Sequence, residues 1–418
     1  MKKDFKKWGT FGVLVLAGGT IYKLSSLKDA FYVPMQEYFG LTHTQIGMAM
    51  SVYAIVQTLG YFVSMYVADR FSRRVLMPLG LIGTGAVGLY LATFPSYVGI
   101  LASWAAMAFF ADLLFWPVLV KSVRLLGDSS EQGRLFGFLE AGRGVVDTIV
   151  AFTALGLFIN LGSNAASFRI AILFFAIVTI VTGIIVFFTV GDDEKEEKAE
   201  ESSQEKNKKA MAGAKQVLKM PELWIASFMI FCVYGTYAGL TYFIPFLKDI
   251  YGMPVALVGA YGIINQYGLK MVGGPVGGIV TDKVFKSPTK YLRFTFLLSA
   301  IMIAIFAFLP HTSMNIYLGM ACTLLIGSIV FTQRAIFFAP IDEINIPKEV
   351  SGAAISLACL IGYAPSIFSF ALYGAVIDAF GGMVGYRVVF LIMSGFAVVG
   401  FIISNYLTHR LNKQKGAN

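Results

Sequence analysis

The sequence predicts an all-α membrane protein: twelve transmembrane helices arranged as two repeated six-helix bundles. Three observations predict it. Of 418 residues, 57% are hydrophobic and only 14% charged, with a mean hydropathy of +0.72, whereas a soluble chain carries about 25% charged residues. Apolar runs of about 18 residues or more recur from end to end, each long enough to cross about 30 Å of hydrocarbon at about 1.5 Å per residue. The two halves of the chain also repeat one another. A soluble enzyme, a disordered chain and a disulfide scaffold are thereby excluded.

The spans fall at roughly 9–30, 44–66, 75–94, 98–124, 134–160, 167–190, 221–247, 254–279, 292–310, 314–338, 351–378 and 386–408. The first is preceded by Met-Lys-Lys-Asp-Phe-Lys-Lys-Trp, which looks like the start of a signal peptide. The apolar stretch after it is long and lacks a small-residue cleavage site, so it reads as a span. Lys and Arg gather in alternate connections: the N-terminus, 70–74, 121–134, 195–219, 283–293, Lys348 and the tail. The opposite connections, such as Thr42 to Gln45 and Pro95 to Tyr97, are nearly free of them. By the positive-inside rule both termini are cytoplasmic, and the net charge of +9 reflects topology, not nucleic-acid binding. The absence of an Asn-x-Ser/Thr sequon leans towards a bacterial inner membrane. Cys232, Cys322 and Cys359 lie inside apolar spans and read as small hydrophobes. No metal or cofactor constellation is expected.

One polar segment, 191–219, separates a bundle at 1–190 from a bundle at 220–418. It holds eight of the 24 acidic residues and no aromatic one, so it reads as a solvated linker. Its end, AKQVLKMPELW, has the pattern of a short helix lying on the inner membrane face. The repeat then becomes visible on either side. FYVPMQEYFGLTHTQIG at 31–47 matches YFIPFLKDIYGMPVALVG at 242–259, and Asp69-Arg70 matches Asp282-Lys283. Glu131-Gln-Gly133-Arg134 and Glu349-Val-Ser-Gly352 repeat again after the fourth and tenth spans. Such a duplication puts a transport site at the interface of the repeats.

These residues resemble the major facilitator superfamily. Its signature between the second and third spans is Gly-x-Leu-x-Asp-Arg-x-Gly-Arg-Arg. Asp69, Arg70, Arg73 and Arg74 match it, while Met65 and Ser72 replace the glycines. The second copy keeps Gly278, Asp282 and Lys283 and ends in a longer VFKSPTK. The resemblance implies two six-helix bundles that rock in alternating access, with Asp69, Arg70, Arg73, Arg74, Asp282 and Lys283 latching the cytoplasmic ends. It leaves the substrate open, since this superfamily moves sugars, drugs, peptides and anions.

The substrate class is read from charges inside the spans, where an ionisable group costs roughly 2.5–3.5 kcal/mol or more and needs a reason. Lys270 lies near the midplane of the eighth span and Arg334 in the inner third of the tenth. Glu140, Arg143 and Asp147 are spaced i, i+3, i+7 and share a face of the fifth span, with Asp112 at similar depth on the fourth. Lys121 and Arg124 share a face near the inner end of the fourth, and Lys23 projects from the first. Lys28 reads as snorkelling outward from the first span. Seven bases thus face three acids, which favours an anion. Each has a bland alternative: Arg143 can be a structural ion pair with Glu140, Asp147 or Asp112, Lys121 and Arg124 can join the gate, and Lys23 can pair across the bundle. Tyr234, Tyr237, Tyr242, Asn265 and Gln266 are candidate cavity lining, or ordinary bundle filler. Gly273-Gly274-Pro275-Val276-Gly277-Gly278 lacks the ending of a phosphate loop and reads as close helix packing with a proline kink.

The expected function is therefore a monomeric secondary transporter of a small organic anion, as antiporter or proton symporter. If a proton is carried, Asp112, Glu140 or Asp147 titrates; an exchanger needs none, because a counter-anion neutralises the bases on the return stroke. The resemblance in charge sign runs to the organophosphate, nitrate and oxalate branches of the superfamily. The rivals are a proton-coupled exporter of drugs or other amphiphiles, in which Asp112 and Glu140 matter most, and a transporter-like sensor.

Overall fold

The computed structural model describes residues 2–127, 132–191, 216–344, 346–347 and 350–416, and the side chains of 2–6, 61–70, 132–134, 351–352 and 414–416 lie outside that description. Every described element is helical. Nine helices among the described residues are long and apolar enough to span a membrane, from Arg73–Leu91 to Gly382–Lys413. The other three expected spans are helical too. The second is the continuous helix His43–Arg70. The first and eighth are broken.

The first span runs as Lys2–Thr20 and resumes as Leu27–Phe39. Gly18, Gly19, Thr20, Ser25 and Ser26 crowd the gap, all poorer helix formers than the flanking residues. The ladder tightens there to three-residue bonds, from the N–H of Lys23 to the Thr20 carbonyl and of Leu27 to the Leu24 carbonyl. One carbonyl exposed by the break, that of Ser25, accepts from the indole Nε1 of Trp104 at 3.2 Å. The eighth span runs as Val255–Ile263, a π-helical turn at Ile264–Gly268, and then Leu269–Val280.

Chain repetition is visible in the backbone. Pro34 lies within Leu27–Phe39 and Pro245 within Phe243–Tyr251. Both helices end on a left-handed glycine, Gly40 at φ 66° and Gly252 at φ 64°, a conformation that costs a residue with a Cβ roughly 1–2 kcal/mol. Helix starts are capped by Ser72, Ser96, Asn164, Ser287 and Asn315, whose side chains accept from backbone N–H groups in the first turn.

The described chain forms two compact units. The first is Met1–Glu196 with Met253–Gly268; the second is Glu197–Gly252 with Leu269–Asn418. In the first, Phe11, Leu14, Met77, Phe115, Leu119 and Leu139 form the centre of one apolar core. In the second, Leu223, Met229, Leu292, Phe296, Ala354 and Leu407 centre another. Two glycines of the glycine-rich stretch pack closely, since a Cβ on Gly273 would come 3.0 Å from the Phe331 backbone and one on Gly277 3.0 Å from the Thr332 carbonyl, whereas Gly274 and Gly278 face open space.

Candidate functional site

In the first unit, the described bases near the break in the first span each have an acidic partner. Lys23, 2% exposed, places its Nζ 2.7 Å from Oδ1 of Asp147 and donates to the Asp147 carbonyl at 3.3 Å. Its ammonium also lies 3.7 Å from the ring centroid of Tyr267. The Tyr267 hydroxyl donates to Oδ2 of Asp29 at 3.1 Å, and Oδ1 of Asp29 pairs with Lys28. Lys28 is buried, so it does not snorkel outward: the carboxylate next to it in sequence offsets the desolvation that would drive it to the surface.

Arg143 anchors a second cluster one turn away. Its Nη1 lies 2.6 Å from Oε1 of Glu140, its Nε donates to the Gly18 carbonyl at 3.0 Å, and its guanidinium sits 4.6 Å from the Trp116 ring. That approach needs Gly18, because a Cβ there would come 2.9 Å from the Arg143 Cδ. Asp112 lies at the centre of a π-helical turn, Phe109–Phe115, and is 3% exposed. Tyr22 donates to its Oδ1 at 3.2 Å and Tyr53 to its Oδ2 at 2.5 Å, with Gln57 beside it. Among the described residues no Lys or Arg forms an ion pair with Asp112.

The second unit holds a different arrangement. The Arg334 guanidinium lies 4.2 Å from the ring centroid of Tyr237 and 5.7 Å from that of Tyr234. Tyr234 stacks on Tyr363 at 4.6 Å, and Phe331 and Phe337 close the aromatic wall. Among the described residues no carboxylate pairs with Arg334. Next to it in sequence, Gln333 is fully buried and its Oε1 has no hydrogen-bond partner.

The remaining expected residues are dispersed. Lys270 is exposed just past the second π-helical turn, which contains the buried Asn265 and Gln266. Lys121 and Arg124 occupy the last turn of Trp116–Arg124, where cations complement the helix dipole. Tyr242 is buried, with its hydroxyl donating to the Phe370 carbonyl. Of the latch residues, the side chains of Asp69 and Arg70 lie outside the described residues, as do the Glu131 and Glu349 repeats and most of the linker. Arg73 donates from Nε to the Gly191 carbonyl at 3.2 Å, and Arg74 covers the Phe187 ring. Asp282 and Lys283 are exposed in a third π-helical turn, Thr281–Phe285. The N-terminus of Pro288–Phe308 is held instead by Glu343, whose Oε2 accepts from the N–H of Thr289 at 2.9 Å and from its hydroxyl.

Sequence reasoning missed Asp29, Tyr22, Tyr53, Trp116, Tyr267, Tyr363 and Glu343. Only Asp29 carried a local signal: a Lys-Asp pair at the start of an apolar run can neutralise itself. The three π-helical turns, a geometry frequent at functional sites, enclose Asp112, Asn265 and Asp282.

An all-helical chain with many apolar spans, an internal repeat and buried ionisable groups defines a polytopic membrane carrier. The chain belongs to the Major Facilitator Superfamily, whose family profile matches residues 16–369. It is 53% identical over 410 residues to the inner membrane protein YihN of Escherichia coli (strain K12), covering 98% of this chain and 97% of that one. It is 21% identical to a glycerol-3-phosphate transporter of Bacillus subtilis (strain 168), over 94% of this chain and 91% of that one. It is 22% identical to the membrane sensor protein UhpC of Salmonella typhimurium, over 77% of this chain and 74% of that one. A bacterial homologue of the human lysosomal transporter Spinster has the same fold, with a TM-score of 0.77 over 98% of both chains at 14% identity. The relative whose name states an anionic substrate, the glycerol-3-phosphate transporter, is a distant one.

Proposed function

We propose that this protein is a secondary active transporter of a small organic anion of the carboxylate, phosphate or sulfonate type, working by alternating access. Arg334 carries the reading. A guanidinium set among aromatic faces, hydrogen-bonded to the Tyr234 hydroxyl but among the described residues to no carboxylate, keeps donors for an oxyanion. The distant glycerol-3-phosphate transporter agrees in charge sign. The first unit then contributes few uncommitted bases, since Lys23, Lys28 and Arg143 already hold acids. We propose the bacterial inner membrane as its location, with both termini cytoplasmic, and Arg73, Arg74 and Glu343 as fastenings of the inner helix ends.

The test is thermal stabilisation of the purified protein by phosphates, carboxylates and sulfonates, alongside sugars and cationic amphiphiles. A ligand at about 100 times its Kd stabilises by about 2.7 kcal/mol. The expected result is a shift with one anion class that disappears in Arg334→Ala and returns only partly in Arg334→Lys. Stabilisation by cationic amphiphiles alone overturns the reading in favour of an exporter. Binding without flux in proteoliposomes favours the sensor, the role named for one relative.

Where a proton accompanies the substrate, we assign it to Asp112, because Glu140 and Asp147 are already engaged by Arg143 and Lys23. The groups facing Asp112 are the Tyr22 and Tyr53 hydroxyls and Gln57, with Arg143 beyond them. Asp112→Asn keeps an acceptor for one tyrosine, offers the other hydroxyl oxygen an amide donor, and removes the titration. It is expected to flatten the pH dependence of uptake. An unchanged profile points to exchange against a counter-anion.

A further inference from the structure

At one end of the second unit, the helix Pro221–Gly239 and the long helix Gly382–Gly416 leave a cleft of about 440 Å³ between them. Lys219 and Arg410 stand on its walls with the rings of Trp224 and Tyr406, and Leu218 and Ile225 supply apolar surface. The Trp224 indole is fixed by donating to the Leu218 carbonyl at 3.0 Å. Arg410 uses Nη1 on Oε1 of Glu222 at 2.7 Å, and its guanidinium lies 5.4 Å from the Tyr406 ring. About a third of the Arg410 side chain stays exposed, 36%. Lys219 is exposed, and among the described residues nothing pairs with it. Among the described residues one acid therefore faces two bases, leaving the cleft positive. Two more ionisable groups, His409 and Lys413, lie exposed on the same helix end.

We infer that this cleft is a binding site for the headgroup of an anionic glycerophospholipid. Its position decides between a lipid and a soluble anion. Trp224 and Tyr406 lie near the ends of the apolar spans Pro221–Tyr251 and Gly382–Lys413, where aromatic side chains mark the boundary between hydrocarbon and headgroups. Basic pockets between helices at this level suit lipid phosphates. Lys219 and Arg410 face the phosphate, the two rings cover the glycerol backbone, and Leu218 with Ile225 continue onto the acyl chains. A free phosphate would use the two cations and leave the apolar and aromatic walls without a partner.

The test is native mass spectrometry and thermal stability of the full-length protein in detergent, titrated with phosphatidylglycerol, phosphatidylcholine or inorganic phosphate. Phosphatidylglycerol is expected to bind and stabilise, with the other two weaker. Lys219→Ala is expected to weaken phosphatidylglycerol binding about fivefold and Lys219→Glu further, while Lys290→Ala, outside the cleft, changes nothing. Among the described residues the Lys219 side chain makes no contact that its loss would break, so these variants are expected to fold. Equal retention of the two lipids, or undiminished phosphatidylglycerol binding by Lys219→Glu, overturns the assignment. Competition by inorganic phosphate at equal concentration overturns the lipid in favour of a soluble anion.

Discussion

The first unit places its buried bases against acids, whereas the second leaves Arg334 against tyrosine faces. Lys23 with Asp147, Lys28 with Asp29 and Arg143 with Glu140 are neutral pairs; among the described residues Arg334 has aromatic quadrupoles and the Tyr234 hydroxyl but no acid. A paired charge in low dielectric costs much to break and leaves little field for a ligand. A guanidinium over rings gains about 2 kcal/mol when desolvated, well short of the attraction of a carboxylate or phosphate at contact. Burial alone therefore does not nominate a substrate residue. What matters is whether the protein has already supplied the counter-charge.

The largest expected effect breaks the comparison on its structural side. Lys23→Met leaves Asp147 buried and uncompensated and is expected to cost about 3–5 kcal/mol. Lys23→Met with Asp147→Leu is expected to recover most of that stability. If the double variant is no better than the single one, Lys23 is holding something other than Asp147. Arg334→Met, by contrast, strands no acid and is expected to lower unliganded thermal stability far less than Lys23→Met while removing the response to the anion. A stability loss as large as that of Lys23→Met would end the distinction between the two regions.

A smaller effect tests how the eighth span joins the first network. Tyr267→Phe keeps the ring over Lys23 and removes the bond to Asp29, an interaction with a charged group worth about 1.5–3 kcal/mol. The variant is expected to lose stability in that range, and the loss should vanish in a background of Lys28→Met with Asp29→Leu. A loss that persists there assigns the tyrosine a role in packing.

How much of this was legible before the structure follows from the distance over which each signal acts. Span positions are local sums of hydropathy, and the duplication is written in Pro34 with Gly40 and Pro245 with Gly252, so the fold was readable. The pairing of Arg143 with Glu140 was readable as an option because three residues on a helix share a face. Tyr22 with Asp112 and Tyr267 with Asp29 join positions 90 and 238 residues apart, and periodicity carries no information about such contacts. Lys28 was misread because its depth was judged without its neighbour Asp29. Tyr234 and Tyr237 read equally as cavity lining or as bundle filler, since an aromatic residue acquires meaning only when the charge it faces is known.

The smallest expected effect concerns a group at the opposite extreme from Arg334, a titratable side chain held neutral. His311 lies in the connection after Pro288–Phe308 and is 3% exposed among Phe246, Phe306 and Tyr251. Its Nε2 faces the Phe306 carbonyl at 2.7 Å, which can only accept, so that nitrogen carries the hydrogen. Nδ1 is then the acceptor for the Tyr251 hydroxyl at 2.8 Å. Burial pushes the imidazole below its ordinary value of 6.5; the nearby Arg387 acts in the same direction and the Phe306 bond opposes both. The folded state therefore binds fewer protons than the unfolded state in the window below 6.5. Stability is fully present above that pH and declines as pH falls through 6.5 towards the folded value. His311→Gln keeps a donor and an acceptor without titrating, so thermal stability measured from pH 8 to 5 is expected to fall less in that variant than in the parent. Parallel curves would mean that protonating this imidazole costs the fold nothing, and that burial here, unlike at Lys23, is too shallow to matter.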